Sequence, residues 1–382
     1  MKKRGNGEGT WGKKKVGKRQ YFFFRDSDGN YTYGKTKQEV KEKLEDNQKL
    51  SISPKTTFGE YISEWLLFKK GKIEQTTYEA YENLIYNMIL KFKSYNLANK
   101  QIQYLTPKVF QSYLNTLATS YSRSSITKIW AIIKQCIKYG ETQNELPTNL
   151  TSMVSVPLES NVAHKKKEIP FLNEAQAEQL YDVLNYRDKN NVRRYNLSNN
   201  AHAIILILYT GMRVSEMIAL KWKNVDLKNK TIKIVESAAV VTDDNGNRIP
   251  IDKPPKSKSS IRSIPLPERA VEMIKYFKKV NASTRQTDYV CQTSNGTKIN
   301  RRNISHTLEA MCKDANLPYL NVHALRHSYG SILLSKGVNI KIISELLGHA
   351  NVSITYDIYI GIKEDEKKSA VEEAFNKTEK EG

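Results

Sequence analysis

Residues 323–359 read HALRHSYGSILLSKGVNIKIISELLGHANVSITYDIY. His323 and Arg326 stand three apart, so any helix that carries them presents both on one face. Ile332, Leu333 and Leu334 continue the run, and Lys336-Gly337 reads as a helix stop. Asn339 is the expected N-cap of a second helix from Ile340 to Leu347, closed by Gly348 in the left-handed position past a helix end. His349 follows at once, and Tyr359 lies further along. Histidines, an arginine and a tyrosine together suit a phosphodiester, because cations hold its oxygens and a phenol can attack phosphorus. His323 and His327 also stand four apart, as zinc ligands on a helix can. The glutamate of HExxH is missing between them, and Arg326 beside a metal would be unfavourable, so the zinc reading is set aside.

The pattern resembles that of the tyrosine recombinases of the phage-integrase family: His-x-x-Arg, then Leu-Gly-His, then nine residues and a tyrosine. That spacing selects Tyr359 over Tyr356 as the nucleophile. Upstream, the apolar run Ile204–Leu208 leads into Thr210-Gly211-Met212-Arg213-Val214-Ser215-Glu216. This segment is similar to the family's first box, Thr-Gly-x-Arg-x-x-Glu, whose arginine binds the scissile phosphate. Ser215 stands where many members have glycine, a small-for-small change. On its own, Arg213 could equally be the partner of Glu216 in an ordinary helix ion pair. Further on, Thr231–Val235 alternates as a strand, Asp244-Asn245-Gly246-Asn247 signals a tight turn, and a Lys-Ser-rich turn precedes Ile261-Arg262-Ser263-Ile264-Pro265-Leu266. The resemblance implies a β-hairpin lysine that reaches into the site: Lys258, with Lys256 as the alternative.

The chain has 382 residues, 61 basic against 40 acidic, for a net charge of +21. Such a surplus points to a polyanionic partner, most simply nucleic acid. Cys136, Cys291 and Cys312 are scattered and form neither a disulfide framework nor a metal knuckle, which suits a reducing cytoplasm. No apolar run is long enough to span a membrane, and no apolar core follows the charged N-terminus, so neither a membrane helix nor a signal peptide is expected.

The first 25 residues carry Lys13, Lys14, Lys15 and Arg19 among other cations, interleaved with Trp11 and Tyr21–Phe24. Tyr21–Phe24, the Asp28-Gly29-Asn30 turn and Tyr31–Tyr33 predict a hairpin, and Thr36 with Glu39 caps a short helix to about Leu50. A small sheet with a helix and a basic face resembles the arm-binding domain of integrases from conjugative transposons. After Ser53-Pro54, apolar stripes predict four helices: one capped by Thr57 and Glu60, one carrying Tyr78–Ile89, one after Thr106-Pro107 and one from Ser122. This bundle resembles the family's core-binding domain. The predicted division is therefore 1–52 arm-type DNA-binding domain, 53–150 core-binding domain, 151–167 linker and 168–382 catalytic domain. A charged helical tail is expected over 364–380. The fold class is multidomain and mainly α with small β-sheets, the catalytic domain being mixed α+β.

The resemblance implies a site-specific recombinase that cuts and rejoins double-stranded DNA through a 3′-phosphotyrosine. Its catalytic set would be Arg213, Lys258, His323, Arg326, His349 and Tyr359, with no metal or cofactor. It further implies core and arm-type DNA sites, a homotetramer on DNA, possible accessory bending or excision proteins, and work in the bacterial cytoplasm at the nucleoid. Two other classes share the motifs: a type IB topoisomerase, against which the arm-like N-terminus argues, and a non-catalytic DNA-binding protein of the same fold, against which the complete set of catalytic positions argues.

Overall fold

The computed structural model describes residues 10–16, 19–25, 31–48, 52–165, 170–185, 195–243, 245–255, 257–353 and 355. It divides into two compact units, Met1–Lys167 and Glu168–Gly382. Among the described residues no helix is long and apolar enough to cross a membrane.

In the first unit, β1 (Thr10–Val16), β2 (Arg19–Arg25) and β3 (Tyr31–Gly34) form an antiparallel sheet in that order. The β2–β3 pair is the expected hairpin; β1, built on the lysine run, is an additional strand. Lysine tolerates a strand because its stem can lie along apolar surface while the ammonium stays in water. The Lys13 ammonium accordingly sits 5.0 Å from the Phe22 ring centre and that of Lys14 6.0 Å from Tyr33. Helix α1 (Lys37–Gln48) follows, with the Glu39 N–H donating to Thr36 Oγ1. The reciprocal bond to Glu39 comes from the Lys35 N–H rather than from Thr36.

Next come α2 (Phe58–Lys69), α3 (Gln75–Ile85), α4 (Pro107–Ala118) and α5 (Arg123–Thr142). Thr57, Thr106 and Ser122 cap three of them through their side-chain oxygens, as their positions predict. Phe58, Ile62, Trp65, Phe110, Leu114 and Ile133 fill the bundle core. One helix was expected through Ile89; instead the α-geometry of α3 gives way to a π-turn over Tyr86–Leu90. The widened turn leaves the Met88 carbonyl to accept from the Tyr113 hydroxyl at 2.8 Å.

Much of the stretch 151–167, expected as a linker, packs along the bundle. Leu150 and Val162 are buried in the bundle core. Ser155 exchanges two hydrogen bonds with the Gln111 side chain, the Pro157 carbonyl accepts from Arg123 Nε, and the Ala163 N–H donates to the Ala118 carbonyl. An extended strap has no helical period, so scattered valines did not reveal its apolar side.

The second unit opens with α6 (Glu174–Asp182), α7 (Asn199–Thr210) and α8 (Val214–Ala219). Strands β4 (Val225–Asp226), β5 (Thr231–Ile234), β6 (Ser237–Thr242), β7 (Arg248–Lys253) and β8 (Arg262–Pro265) follow. The order β4-β5-β8 makes one antiparallel sheet, and β6-β7 a separate ribbon around the expected turn. Helices α9 (Glu268–Val280), α10 (Arg301–Asp314), α11 (Val322–Ser335) and α12 (Ile340–Leu347) complete it. Helix α7 is buried all round from Ala201 to Leu208, which marks it as the central helix, and α6, α9, α10 and α11 pack on it. It delivers Gly211 and Arg213 to the site. The expected tail over 364–380 lies outside the described residues.

Candidate active site

Helix α7 stops at Gly211, whose φ of +63° is left-handed. A Cβ there would lie 2.3 Å from the Tyr329 ring, so both the turn and the close approach of α11 require glycine. The turn sets Arg213 at the N-cap of α8. Its N–H donates to Glu216 Oε2 at 2.8 Å, its Nη1 to Glu216 Oε1 at 2.6 Å, and its Nη2 to the Gly348 carbonyl at 3.1 Å. Arg326, on α11, is 2% exposed and donates to the carbonyls of Gly211 and Leu347. Arg262, on β8, donates through Nε to the Leu346 carbonyl at 2.6 Å and through Nη2 to Glu216 Oε2 at 2.9 Å.

Three arginines from three segments thus take three successive carbonyls, Leu346, Leu347 and Gly348, at the C-terminus of α12. A helix leaves its last carbonyls unbonded at the negative end of its dipole, which is where cations are stabilised. Glu216 is the buried counter-ion. Burial works against its charge, but the hydrogen bonds and charges of Arg262 and Arg213 outweigh burial and hold its carboxyl below the ordinary value.

Arg213, His323 and Arg326 line one cleft of about 180 Å³, together with Ser215 and Arg301. His323 meets the ring of His327 edge to face, with ring centres 4.5 Å apart. His349 leaves the end of α12 beside this group, and its Nδ1 lies 2.8 Å from the Oγ1 of fully buried Thr355. Burial first, and then the positive charge of Arg326 and Arg213, push His349 down to about 4. Burial and the same arginines, with Arg301, also lower His323. Both rings are therefore neutral at neutral pH. A neutral imidazole can accept a proton at one nitrogen and donate from the other.

Of the expected site residues, Arg213, His323 and Arg326 share the cleft, with His349 alongside. Lys258 begins the turn Lys258–Ser260 before β8, and its side chain lies outside the described part, as do Lys256, Tyr356 and Tyr359. The ion pair of Arg213 with Glu216 exists, yet it does not compete with a place in the cleft. The Arg213 side chain stays 34% exposed beside a carboxylate that is 4% exposed.

Arg262, Arg301 and Thr355 were not singled out from the sequence. Two signals were there to be read. Arg262 shares a strand face with the fully buried Ile264, so the alternation already placed a charge at an inward position. Arg301 occupies the first turn of α10, the helix end that disfavours a cation. A cation held there fits a site that awaits an anion.

Residues 170–366, about half the chain, match the phage integrase family, and residues 57–118 match the N-terminal SAM-like domain of phage integrases. The chain belongs to the phage integrase family. It is a tyrosine site-specific recombinase, an enzyme that cuts and rejoins DNA strands. Among its curated relatives is a XerC-like tyrosine recombinase of Caldanaerobacter subterraneus, 28% identical across 89% of this chain and 90% of the relative. The integrase of Staphylococcus phage L54a is 27% identical across 86% and 94% respectively. The fold of the Tn1549 transposon integrase, solved in complex with a circular intermediate DNA, superposes with a TM-score of 0.67. That match covers 84% of this recombinase and 99% of the solved chain at 18% identity.

Proposed function

We propose that this recombinase integrates and excises a mobile element of the conjugative-transposon or prophage kind, with Tyr359 as its nucleophile. The phenol oxygen of Tyr359 attacks the scissile phosphorus and its proton passes to neutral His323. The 5′-oxygen leaves and takes a proton from Lys258, so a 3′-phosphotyrosine and a free 5′-hydroxyl result. Attack by another 5′-hydroxyl reverses the step on a new strand. The bond energy is kept in the phosphotyrosine, and no cofactor enters the scheme.

The observation that carries this reading is the shared cleft of Arg213, Arg326 and His323. The transition state gathers negative charge on the nonbridging oxygens, and donors fixed in advance lower its energy by roughly 3 kcal/mol each. Arg213 and Arg326 are fixed in this sense by Glu216 and by backbone carbonyls. His349, bonded at Nδ1 to Thr355, would offer Nε2 to the same phosphate.

The same reading assigns the sheet and α1, within residues 1–52, to a distal arm-type site through Lys13, Lys14, Lys15 and Arg19. The helical bundle and its strap bind the core site. Exchange between two duplexes cuts four strands, and each protomer supplies one tyrosine, so a homotetramer on DNA is required. Accessory bending or excision proteins would assist at the paired sites. The work would be done in the bacterial cytoplasm, at the nucleoid.

The test is a nicked suicide duplex bearing the element's end sequence, with the products resolved on a denaturing gel. The wild type and Tyr356→Phe should form a protein–DNA adduct, while Tyr359→Phe should bind the duplex and form none. An adduct that survives Tyr359→Phe and vanishes with Tyr356→Phe would overturn the assignment. A relaxed supercoiled plasmid with no strand exchange would favour the topoisomerase reading instead.

A further inference from the structure

Arg262 is 6% exposed at its side chain, and all of its bonds are internal. Nε and Nη2 take the Leu346 carbonyl and Glu216 Oε2, while Nη1 takes Glu216 Oε1 at 3.2 Å and the Ser260 carbonyl at 3.1 Å. Glu216 Oε1 is shared: Arg213 Nη1 donates to it at 2.6 Å. The Arg262 side chain also closes over Gly348. That residue has φ +65°, and a Cβ on it would lie 3.0 Å from Arg262 Cδ and Nη1. A side chain at 348 would therefore crowd Arg262 as well as strain the left-handed backbone, a second reason for glycine there.

Arg262 does not line the cleft; its links to Arg213 there run through Glu216 and through the end of α12, where the two arginines take the Leu346 and Gly348 carbonyls. The Arg262 fork takes both oxygens of the carboxylate, Oε1 of which also accepts from Arg213, so the carboxylate that holds Arg213 is itself held from β8. It also fixes the Leu346 carbonyl, three residues before His349. Lysine could supply the charge but not the paired, planar donors that set this geometry.

We propose that Arg262 is a positioning residue for the phosphate clamp: it locks Glu216 and the end of α12, and through them aims Arg213 and His349 at the scissile phosphate. The proposal rests on Arg213 acting as a clamp. It adds that the aim of Arg213 is set from β8, the strand that follows the Lys258 turn.

The test is a double-mutant cycle on single-turnover cleavage of the nicked duplex, using Arg262→Lys, Arg213→Ala and the double variant. DNA affinity and melting temperature are measured on the same samples. Arg262→Lys keeps a cation beside Glu216, so the fold is retained. It should slow cleavage about 10-fold or more, a share of the roughly 100-fold that losing an oxyanion donor costs, with affinity within about twofold. In the Arg213→Ala background the same change should cost less than about threefold, because one of the two groups it aims is gone and only the aim of His349 is left to lose.

Penalties that multiply in the double variant would overturn the proposal. So would normal cleavage by Arg262→Lys, a loss of affinity equal to the loss of rate, or a variant that no longer melts cooperatively. If Arg213→Ala alone cleaves at the wild-type rate, the clamp reading itself fails, and that outcome is visible separately in the same data.

Discussion

The N-terminal sheet and the active-site cleft are both rich in cations, yet they hold them in opposite ways. On β1, Lys13, Lys14 and Lys15 are exposed, and the ammonium groups of Lys13 and Lys14 lie over aromatic rings. In the cleft, Arg213 and Arg326 are tied down by Glu216 and by the carbonyls of Gly211, Leu347 and Gly348. A solvated lysine can follow a phosphate and release its counterions, which contributes affinity and salt dependence. A fixed guanidinium has little freedom left to lose when charge develops in front of it, which contributes rate. Cation count alone does not separate these two roles; the partners of each cation do.

The largest separation should come from Arg213→Ala. Cleavage of a nicked core duplex should fall about 100-fold while affinity changes little, which corresponds to roughly 3 kcal/mol of lost transition-state stabilisation. Arg213 is the cleaner choice for this, since it is partly exposed, whereas Arg326 is buried and its loss would leave the buried Gly211 and Leu347 carbonyls without that donor. Equal losses in rate and affinity would mean that the cleft arginine only binds DNA.

Replacing Lys13, Lys14 and Lys15 with alanine should do the reverse. Core cleavage should be unchanged, and binding of a distal-site duplex should weaken. Its log–log salt dependence should become shallower by roughly 0.9 for every lysine that had neutralised a phosphate. An unchanged salt slope in a binding titration would separate these lysines from phosphate altogether.

The cleft should also mark itself by pH. His327 and His349 are held down to about 4, and His323 is lowered as well, chiefly by burial. Their unfolded values lie near 6.5, so the unfolded chain binds more protons between these limits. The stability they contribute is present above about pH 6.5 and is lost as pH falls towards 4. Calorimetry should show the melting temperature of the recombinase dropping over that window, with His327→Gln removing part of the slope. A flat profile would mean that the rings are not buried in this way.

A smaller effect is expected at Thr355. Its hydroxyl lies 2.8 Å from His349 Nδ1, and a proton given to Nδ1 from there would keep the ring's own proton on Nε2, where the phosphate needs it. Thr355→Val should therefore slow cleavage several-fold, a fraction of a full donor's worth, and Thr355→Ser should restore it. Cleavage equally slow in both variants would point to packing instead of the hydroxyl.

These differences also explain what could be read in the sequence. The helix caps at Thr57, Thr106, Ser122 and Asn339 were legible because capping is local chemistry. Arg213, His323, Arg326 and His349 were legible as a pattern, and the fold brings them together. The strand of Lys13–Lys15 was harder, because lysine has no strand preference and its place depends on Phe22 and Tyr33 across the sheet. The strap over 151–163 depends on Gln111, Ala118 and Arg123, all distant in sequence. Arg262 depends on Glu216, 46 positions away, and on Leu346, 84 away. Each of these is a tertiary partnership that no local period encodes.

The most direct test of the contrast is one experiment on two proteins, Arg213→Ala and the Lys13, Lys14, Lys15→Ala triple variant. Single-turnover cleavage of the core duplex and affinity for the distal duplex are measured in the same salt series. The cleft variant should lose rate and keep affinity, and the sheet variant should lose affinity and keep rate. Two variants that lose both in equal proportion would contradict the division of labour between fixed and free cations.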